Sequence, residues 1–383
     1  MKQRWPLLVS ILIAGAFLFA IIHRHQAHDA YKSENPVRIG VVLSLTGDAA
    51  NYGRRSLNGI TWAVEQLNAQ GGINGRKIEI HVEDTRSESK DAVLAITKLI
   101  TVDHITIIVG DVLSSTTLAM APIAESNHVL LFAPGASNPS LRDAGDFIFR
   151  DWTSDDYDGK AMAGYLVKQN IKSVGMLVQR SDYTIGVADA LAKAFQSQNG
   201  RIIDREEFET SETNFRTQLE RLKSKGVASL YMAGLSQETG VALKQAAEIG
   251  YSPQWFTTLT VDTPECAKIA GAARNGVIFT TPAFDVTSTD PVMARFVHGF
   301  KERFGDEPEA VAGHGYDAID ILASVLATSG TDATRVKTAL YSVRNFPGVT
   351  GTMTFDDHGD VLKSIDIKQI KQGNPILIDV VKP

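Results

Sequence analysis

The chain alternates short apolar runs with longer amphipathic stretches. Ile39-Gly40-Val41-Val42-Leu43 reads as a buried strand, and "AANYGRRSLNGITWAVEQLNA" after it reads as a helix. "KIEIHVED" places Ile78, Ile80 and Val82 on one face of a period-two strand, after an Asn-Gly turn. "KDAVLAITKLITVD" spaces Val93, Ile96, Leu99 and Ile100 as one helical face. "ITIIVG" and "VLLFA" are continuous apolar strands with the helix "SSTTLAMAPIAESN" between them. Short apolar runs flanked by helices mark parallel sheets covered on both faces.

The alternation restarts after "DFIFRDWTSDD", with strands "SVGMLV", "RIIDREEF" and "ASLYMAG" separated by helices. Two successive βα series predict two doubly wound α/β lobes. A mainly helical block follows, from "DPVMARFVHGFKERFG" to "ATSG". The end, "GTMTFDDHGDVLKSIDIKQIKQGNPILIDV", reads as a β-meander with turns at "DDHGD" and "KQGNP".

Composition adds limits. With 383 residues, 44% apolar and 21% charged, the chain has enough material for about two cores. A net charge of −6 disfavours a nucleic-acid partner. The single cysteine, Cys266, permits no intramolecular disulfide and no Cys-based metal site, and it reads as packing at a helix start. GxSxG, HExxH, CxxC and phosphate-loop patterns are absent, and the histidines lack ligand-like spacing. No metal, no cofactor and no enzymatic chemistry are expected.

Lys2 and Arg4 precede an almost unbroken apolar run from Trp5 to Ile22. Residues 1–22 are thus a signal sequence or a signal anchor, and 23–36 a polar linker. Without a tidy small-residue cleavage site, the leader is either cut or stays attached as an anchor to the inner membrane.

In doubly wound sheets, ligands sit beyond the carboxyl ends of the strands. Three strand-to-helix loops stand out: the opening loop with Asn51 and Tyr52, "GDVLSSTT" with Ser114, and "APGASNPSL" with Gly135, Ala136 and Ser137. Serine hydroxyls and free N–H groups at a helix start suit a carboxylate. Ser114 as a plain N-cap is the competing reading.

Taken together, "RIGVVLSLTGDAANYGRRSLNGITWAVEQLNAQGGINGRKIEIHVED", "IVGDVLSSTTLAMAPIAESNHVLLFAPGASNPSL" and "FRTQLERLKSKGVASLYMAG" resemble type I periplasmic solute-binding proteins of the leucine/isoleucine/valine-binding type. The similarity runs in order from Val37 to about Asp379. It implies a bilobal binder joined by three hinge crossings, near Asp151–Ser154, Thr280–Pro282 and Thr350–Gly351. The lobes are then residues 37–153 plus 281–350 and residues 154–280 plus 351–383. The resemblance further implies a monomer in the periplasm that delivers a small solute to the permease of an ABC importer. By the same carry-over, Tyr52, Ser114, Gly135, Ala136 and Ser137 serve the ligand from the first lobe and Tyr183 from the second.

This sequence departs from the family pattern where an aromatic and an acid are expected, at Leu235 and Leu259. A paired cysteine of some relatives is also missing. An ammonium without an acidic partner is costly to bury. The implied ligand is therefore a small carboxylate with an apolar or aromatic body. Asp262 is the candidate substitute for the missing acid. The alternatives are an aliphatic amino acid as ligand and a membrane-anchored sensing module as role.

Overall fold

The computed structural model describes residues 35–382. The leader and most of the linker, residues 1–34, lie outside the described residues. Among the latter, no helix is long and apolar enough to cross a membrane.

The first lobe is built on a five-stranded parallel sheet in the order β2-β1-β3-β4-β5. Its strands are β1 (Val37–Leu43), β2 (Ile78–Asp84), β3 (Ile107–Gly110), β4 (Leu130–Ala133) and β5 (Ile148–Arg150). Helices α1 (Ala50–Ala69), α2 (Ser89–Thr101) and α3 (Ser114–Ser126) connect them. β3 and β4 are buried at every residue, as continuous apolar runs require. β2 is an edge strand, so its predicted apolar face is buried at Ile78 but open at Val82, which is 39% exposed. α2 buries Ala92, Ala95, Ile96 and Leu99, while Val93 and Ile100 of the predicted stripe are half-buried.

The second lobe is built on a seven-stranded sheet in the order β14-β13-β10-β9-β8-β6-β7. Its parallel part comprises β6 (Ser173–Gln179), β7 (Arg201–Phe208), β8 (Ser229–Ala233), β9 (Gln254–Thr258) and β10 (Ile278–Pro282). Helices α4 (Asp155–Lys168), α5 (Asp182–Ser197), α6 (Arg216–Ser224), α7 (Ser236–Glu248) and α8 (Pro264–Ala270) accompany it. Then α9 (Pro291–Phe304), α10 (Ala310–Ser329) and α11 (Ala333–Tyr341) return the chain to the first lobe, where α10 packs along α1.

The predicted terminal meander is divided between the lobes. β11 (Phe346–Gly348) and β12 (Gly351–Met353) form a separate hairpin. β13 (Ile365–Lys371) and β14 (Asn374–Val381) extend the second sheet antiparallel to β10, so that sheet is mixed at one edge. Gln372 and Gly373, at φ of 50° and 82°, make the tight turn between them.

Two crossings fall later than the sequence suggested. Thr280, Thr281 and Pro282 still pair with β13, so the second crossing begins at Ala283. The third does not occur at Thr350–Gly351. Met353, Phe355 and Val361 are buried in the first lobe's core with Ile39, Phe132 and Leu322. Thr350 instead sits in a hairpin turn held by Asp317, which accepts from the N–H groups of Val349 and Thr350 at 2.7 and 2.8 Å. The chain leaves the first lobe between Val361 and Ile365, where Ala283 N–H donates to Ser364 O at 3.0 Å and joins the second and third crossings.

Candidate functional site

The carboxyl ends of both sheets face one cleft. Its first-lobe side rests on a buried carboxylate that sequence reasoning passed over. Asp111, directly after β3, accepts from Ser44 N–H (3.0 Å), Ser44 Oγ (2.8 Å), Thr85 Oγ1 (2.9 Å), Thr116 Oγ1 (2.9 Å) and its neighbour's amide, Val112 N–H (2.6 Å). One side chain thus ties together the loops after β1, β2 and β3. Burial pushes its carboxyl above the usual range, and the donors oppose that shift. Asp84 at the end of β2 also holds the opening loop, accepting from Leu45 N–H at 2.9 Å and Thr46 Oγ1 at 2.7 Å. Gly53 lets α1 begin directly against this loop, because a Cβ there would lie 1.9 Å from Ser44 O.

Six of the eight candidate residues line the cleft: Tyr52, Gly135, Ser137, Tyr183, Leu235 and Leu259. Two do not. The Ala136 side chain is wholly buried in the first lobe's core beside Val42 and Leu131. Ser114 is the first residue of α3 rather than its cap, a position that Leu113 holds. The Ser114 hydroxyl accepts from Ser137 N–H at 3.3 Å and Asn138 N–H at 3.2 Å, which fastens the third loop to the second. Ser114 lines the adjoining interlobe opening instead.

The rest of the lining was not read from the sequence: Val112, Leu113, Trp152, Thr260 and Val311. Trp152, in the first crossing, could have been noticed as a lone aromatic in the polar run "RDWTSDD". Val311 comes from the start of α10, and no local pattern points it inward. The lining contains no Asp, Glu, Lys or Arg. Asp262 is turned away, 3.9 Å from Arg274 Nη1, and burial pushes its carboxyl up to about 6 against the pull of Lys368 and Arg274. As the structure stands, it does not replace the missing acid.

The two tyrosines are anchored by their hydroxyls. Tyr52 shares a hydrogen bond with Ser236 Oγ of the second lobe, and Tyr183 donates to Thr258 Oγ1 at 2.9 Å. Burial raises both phenols, so they remain protonated. Further bonds join the lobes around the cleft: Asn51 Nδ2 to Glu265 Oε2 (3.1 Å), Ser211 Oγ to Asp48 Oδ2 (2.9 Å) and Asn138 Nδ2 to Asp182 O (2.5 Å). The lobes stand closed on one another. Among the described residues no group of three or more His, Cys, Asp or Glu side chains could hold a metal ion. Burial pushes the Cys266 thiol up to about 12, which leaves it inert.

Two mainly parallel sheets, crossings between them and a cleft at the strand ends are the architecture expected from the resemblance, and comparison decides the family. The family described as periplasmic binding protein matches residues 36–374. The chain belongs to it. It is 28% identical over 334 residues to the leucine-, isoleucine-, valine-, threonine- and alanine-binding protein of Pseudomonas aeruginosa, covering 86% of this chain and 88% of that protein. A leucine-binding protein LivK from Thermotoga maritima superposes with a TM-score of 0.85 at 30% identity, over 91% of this chain and 99% of that one. The branched-chain amino-acid transporter substrate-binding protein LivJ from Streptococcus pneumoniae, in complex with isoleucine, does so with a TM-score of 0.85 at 26% identity, over 91% and 100%. This periplasmic binding protein is accordingly a substrate-binding protein of the ABC transporter type, related to the branched-chain amino-acid group, and not an enzyme.

Proposed function

We propose that the cleft captures a small carboxylate with an apolar or aromatic body and no ammonium group, for delivery to an ABC permease. The observation that carries this is the second-lobe wall. Leu235 and Leu259 line it, and no acidic side chain does. A desolvated ammonium without its partner loses several kcal/mol. The same leucines favour apolar surface by about 25 cal/mol per Å² buried.

The first lobe supplies the carboxylate's donors. Gly135 and Ser137 face the cleft, and Ser114 accepts two amide hydrogens, which leaves its own O–H free to donate. The ligand site of this reading comprises Tyr52, Ser114, Gly135, Ser137, Tyr183, Leu235 and Leu259, with Ala136 contributing backbone alone. Capture proceeds by closure of the lobes about the crossings, and the protein acts as a monomer in the periplasm, whether its leader is cut or kept as an anchor.

A thermal-shift screen tests the ligand class by pairing leucine with 4-methyl-2-oxopentanoate, valine with 3-methylbutanoate, and phenylalanine with 3-phenylpropanoate. Stabilisation grows with ligand concentration over its dissociation constant, so the ranking reads out affinity. The amine-free member should win each pair. Stabilisation by leucine or valine but not by their partners refutes this reading and supports amino-acid capture, which the names of the relatives favour.

A further inference from the structure

Trp152 forms part of the cleft wall, and behind it lies a buried cluster of charge that does not itself line the cleft. The Trp152 ring stacks on His314, with centroids 4.4 Å apart and planes at 39°. His314 Nδ1 lies 3.2 Å from Asp151 Oδ2, and both side chains are fully buried. Neither ring nitrogen and neither carboxylate oxygen makes a hydrogen bond among the described residues, so the 3.2 Å approach is a close contact and not an aligned bond. Nearby, Asp317 accepts from Val349 N–H, Thr350 N–H and Thr350 Oγ1, and the buried Lys363 Nζ donates to Thr350 Oγ1 at 2.6 Å. The cluster spans the joints of the molecule. Asp151 and Trp152 belong to the first crossing, Lys363 to the third, and His314 and Asp317 to α10.

Charge accounting limits the protons this cluster can hold. Lys363 faces both Asp151 and Asp317, and with Asp317, held by three donors, as the ionised partner its ammonium is balanced. The neighbouring Arg150 is taken up by Asp360, at 2.6 and 2.9 Å. Asp151 and His314 then remain, and together they are neutral only with one proton between them. A second proton leaves a buried cation, and the loss of the first leaves a buried anion; both are costly. Burial drives the His314 imidazolium well below its ordinary range, helped by Lys363, and pushes the Asp151 carboxyl up to about 8 despite Lys363. Both directions describe a single proton resting on the carboxyl side of the pair.

We propose that Asp151 and His314 are positioning residues that together hold a single proton and so keep Trp152 seated in the cleft wall, which makes solute binding proton-linked. This rests on the cleft being the binding site. The sign follows from proton counts. In the unfolded chain, Asp151 ionises near ~3.9 and His314 near ~6.5. Between those values both states hold one proton, and the pair adds no slope. Above ~6.5 the unfolded chain has lost both protons while the folded pair keeps one until about pH 8, so stability falls as pH rises through that window.

The test is the Trp152 emission, isolated by subtracting the Trp152→Phe variant, followed from about pH 5 to 9.5. A step with a midpoint near 8, lost in Asp151→Asn, is expected. No step, or one that survives Asp151→Asn, overturns the proposal. Nitrogen-15 histidine spectra of the unaltered protein, assigned with His314→Gln, give a readout independent of the Asp151 variant. His314 should stay neutral down to about pH 5, and protonation near ~6.5 overturns the proposal. Binding supplies the last arm, with leucine and 4-methyl-2-oxopentanoate as probes. For the one that binds, the dissociation constant should rise up to about tenfold per pH unit above the midpoint in the unaltered protein and stay flat in Asp151→Asn. A flat profile in both overturns the linkage. Failure of both probes to bind counts against the proposed ligand class, and the emission step then decides this proposal by itself.

Discussion

The two walls of the cleft are made of different material. The first-lobe wall sets backbone and hydroxyl groups at Gly135 and Ser137 among the side chains of Tyr52, Val112, Leu113, Trp152 and Val311, with Asp111 locking three loops beneath them. The second-lobe wall comprises Leu235 at the start of α7, Leu259 and Thr260 in the 3₁₀ turn after β9, and the Tyr183 ring, and it holds no glycine loop. Backbone donors at a helix start serve any carboxylate. Side chains can be exchanged one at a time without disturbing a strand. The contrast assigns the common part of recognition to one lobe and the discriminating part to the other.

The strongest way to break this contrast is to give the second lobe a charge. Leu259→Glu should raise the affinity for leucine relative to 4-methyl-2-oxopentanoate by about a hundredfold or more, since pairing a desolvated ammonium is worth ~3 kcal/mol or above. Calorimetry on both ligands measures the ratio, and an unchanged ratio would show that Leu259 does not face the ligand's α-position. Next in size is the support of the other wall. Asp111→Ala removes the acceptor of five hydrogen bonds and should cost ~3 kcal/mol in urea unfolding, by stranding buried donors. A loss below ~1 kcal/mol would mean the loops hold themselves.

Ser114→Ala sharpens the comparison at the carboxylate. Losing a hydrogen bond to a charged group costs about 1.5–3 kcal/mol, or roughly ten- to a hundredfold in affinity. Unchanged binding by calorimetry would reduce Ser114 to the fastener of the 135–138 loop. The smallest effect concerns the seam between the walls. Tyr52→Phe deletes the bond to Ser236 but leaves Ser236 bonded to Thr263 Oγ1 at 2.8 Å, so the closed form should lose only about 1 kcal/mol. Small-angle scattering should show a smaller radius of gyration with bound ligand than without it, and a larger unliganded radius in Tyr52→Phe. Identical curves with and without ligand would argue against hinge closure.

The βα rhythm was legible because parallel strands buried on both faces leave uninterrupted runs such as "IIVG" and "LLFA". Tyr52, Gly135 and Ser137 were legible because strand-to-helix loops must point to the carboxyl edge of a sheet, whereas Tyr183, Leu235 and Leu259 came only through the family resemblance. Other features belong to tertiary structure. Val82 follows the strand pattern but lies on an edge, where half its partners are missing. The turn at Thr350–Gly351 reads as a crossing in the sequence, because a hairpin turn and a hinge use the same small residues; the burial of Met353, Phe355 and Val361 separates the two. Asp111 and the Asp151–His314 pair carry no local motif. Their partners lie far along the chain, and a lone carboxylate beside a strand looks the same whether it meets five donors or water.

The late positions of Val361 and β13 bear on the order in which the chain can become a folded object. β10 has no partner on its far side until β13 exists, and β13 is made only after α9, α10 and α11. The first lobe waits as well. Arg150 at the end of β5 is held by Gly359 O through its N–H and by Asp360 through its guanidinium. Neither half therefore has all its packing in place until residues 353–371 are made. Both remain incomplete until the same last stretch arrives, which leaves the nascent protein open, with long-range pairings that form slowly and together. A chain whose packing is finished by a late stretch is also one that can be threaded through a narrow passage first and assembled on the other side.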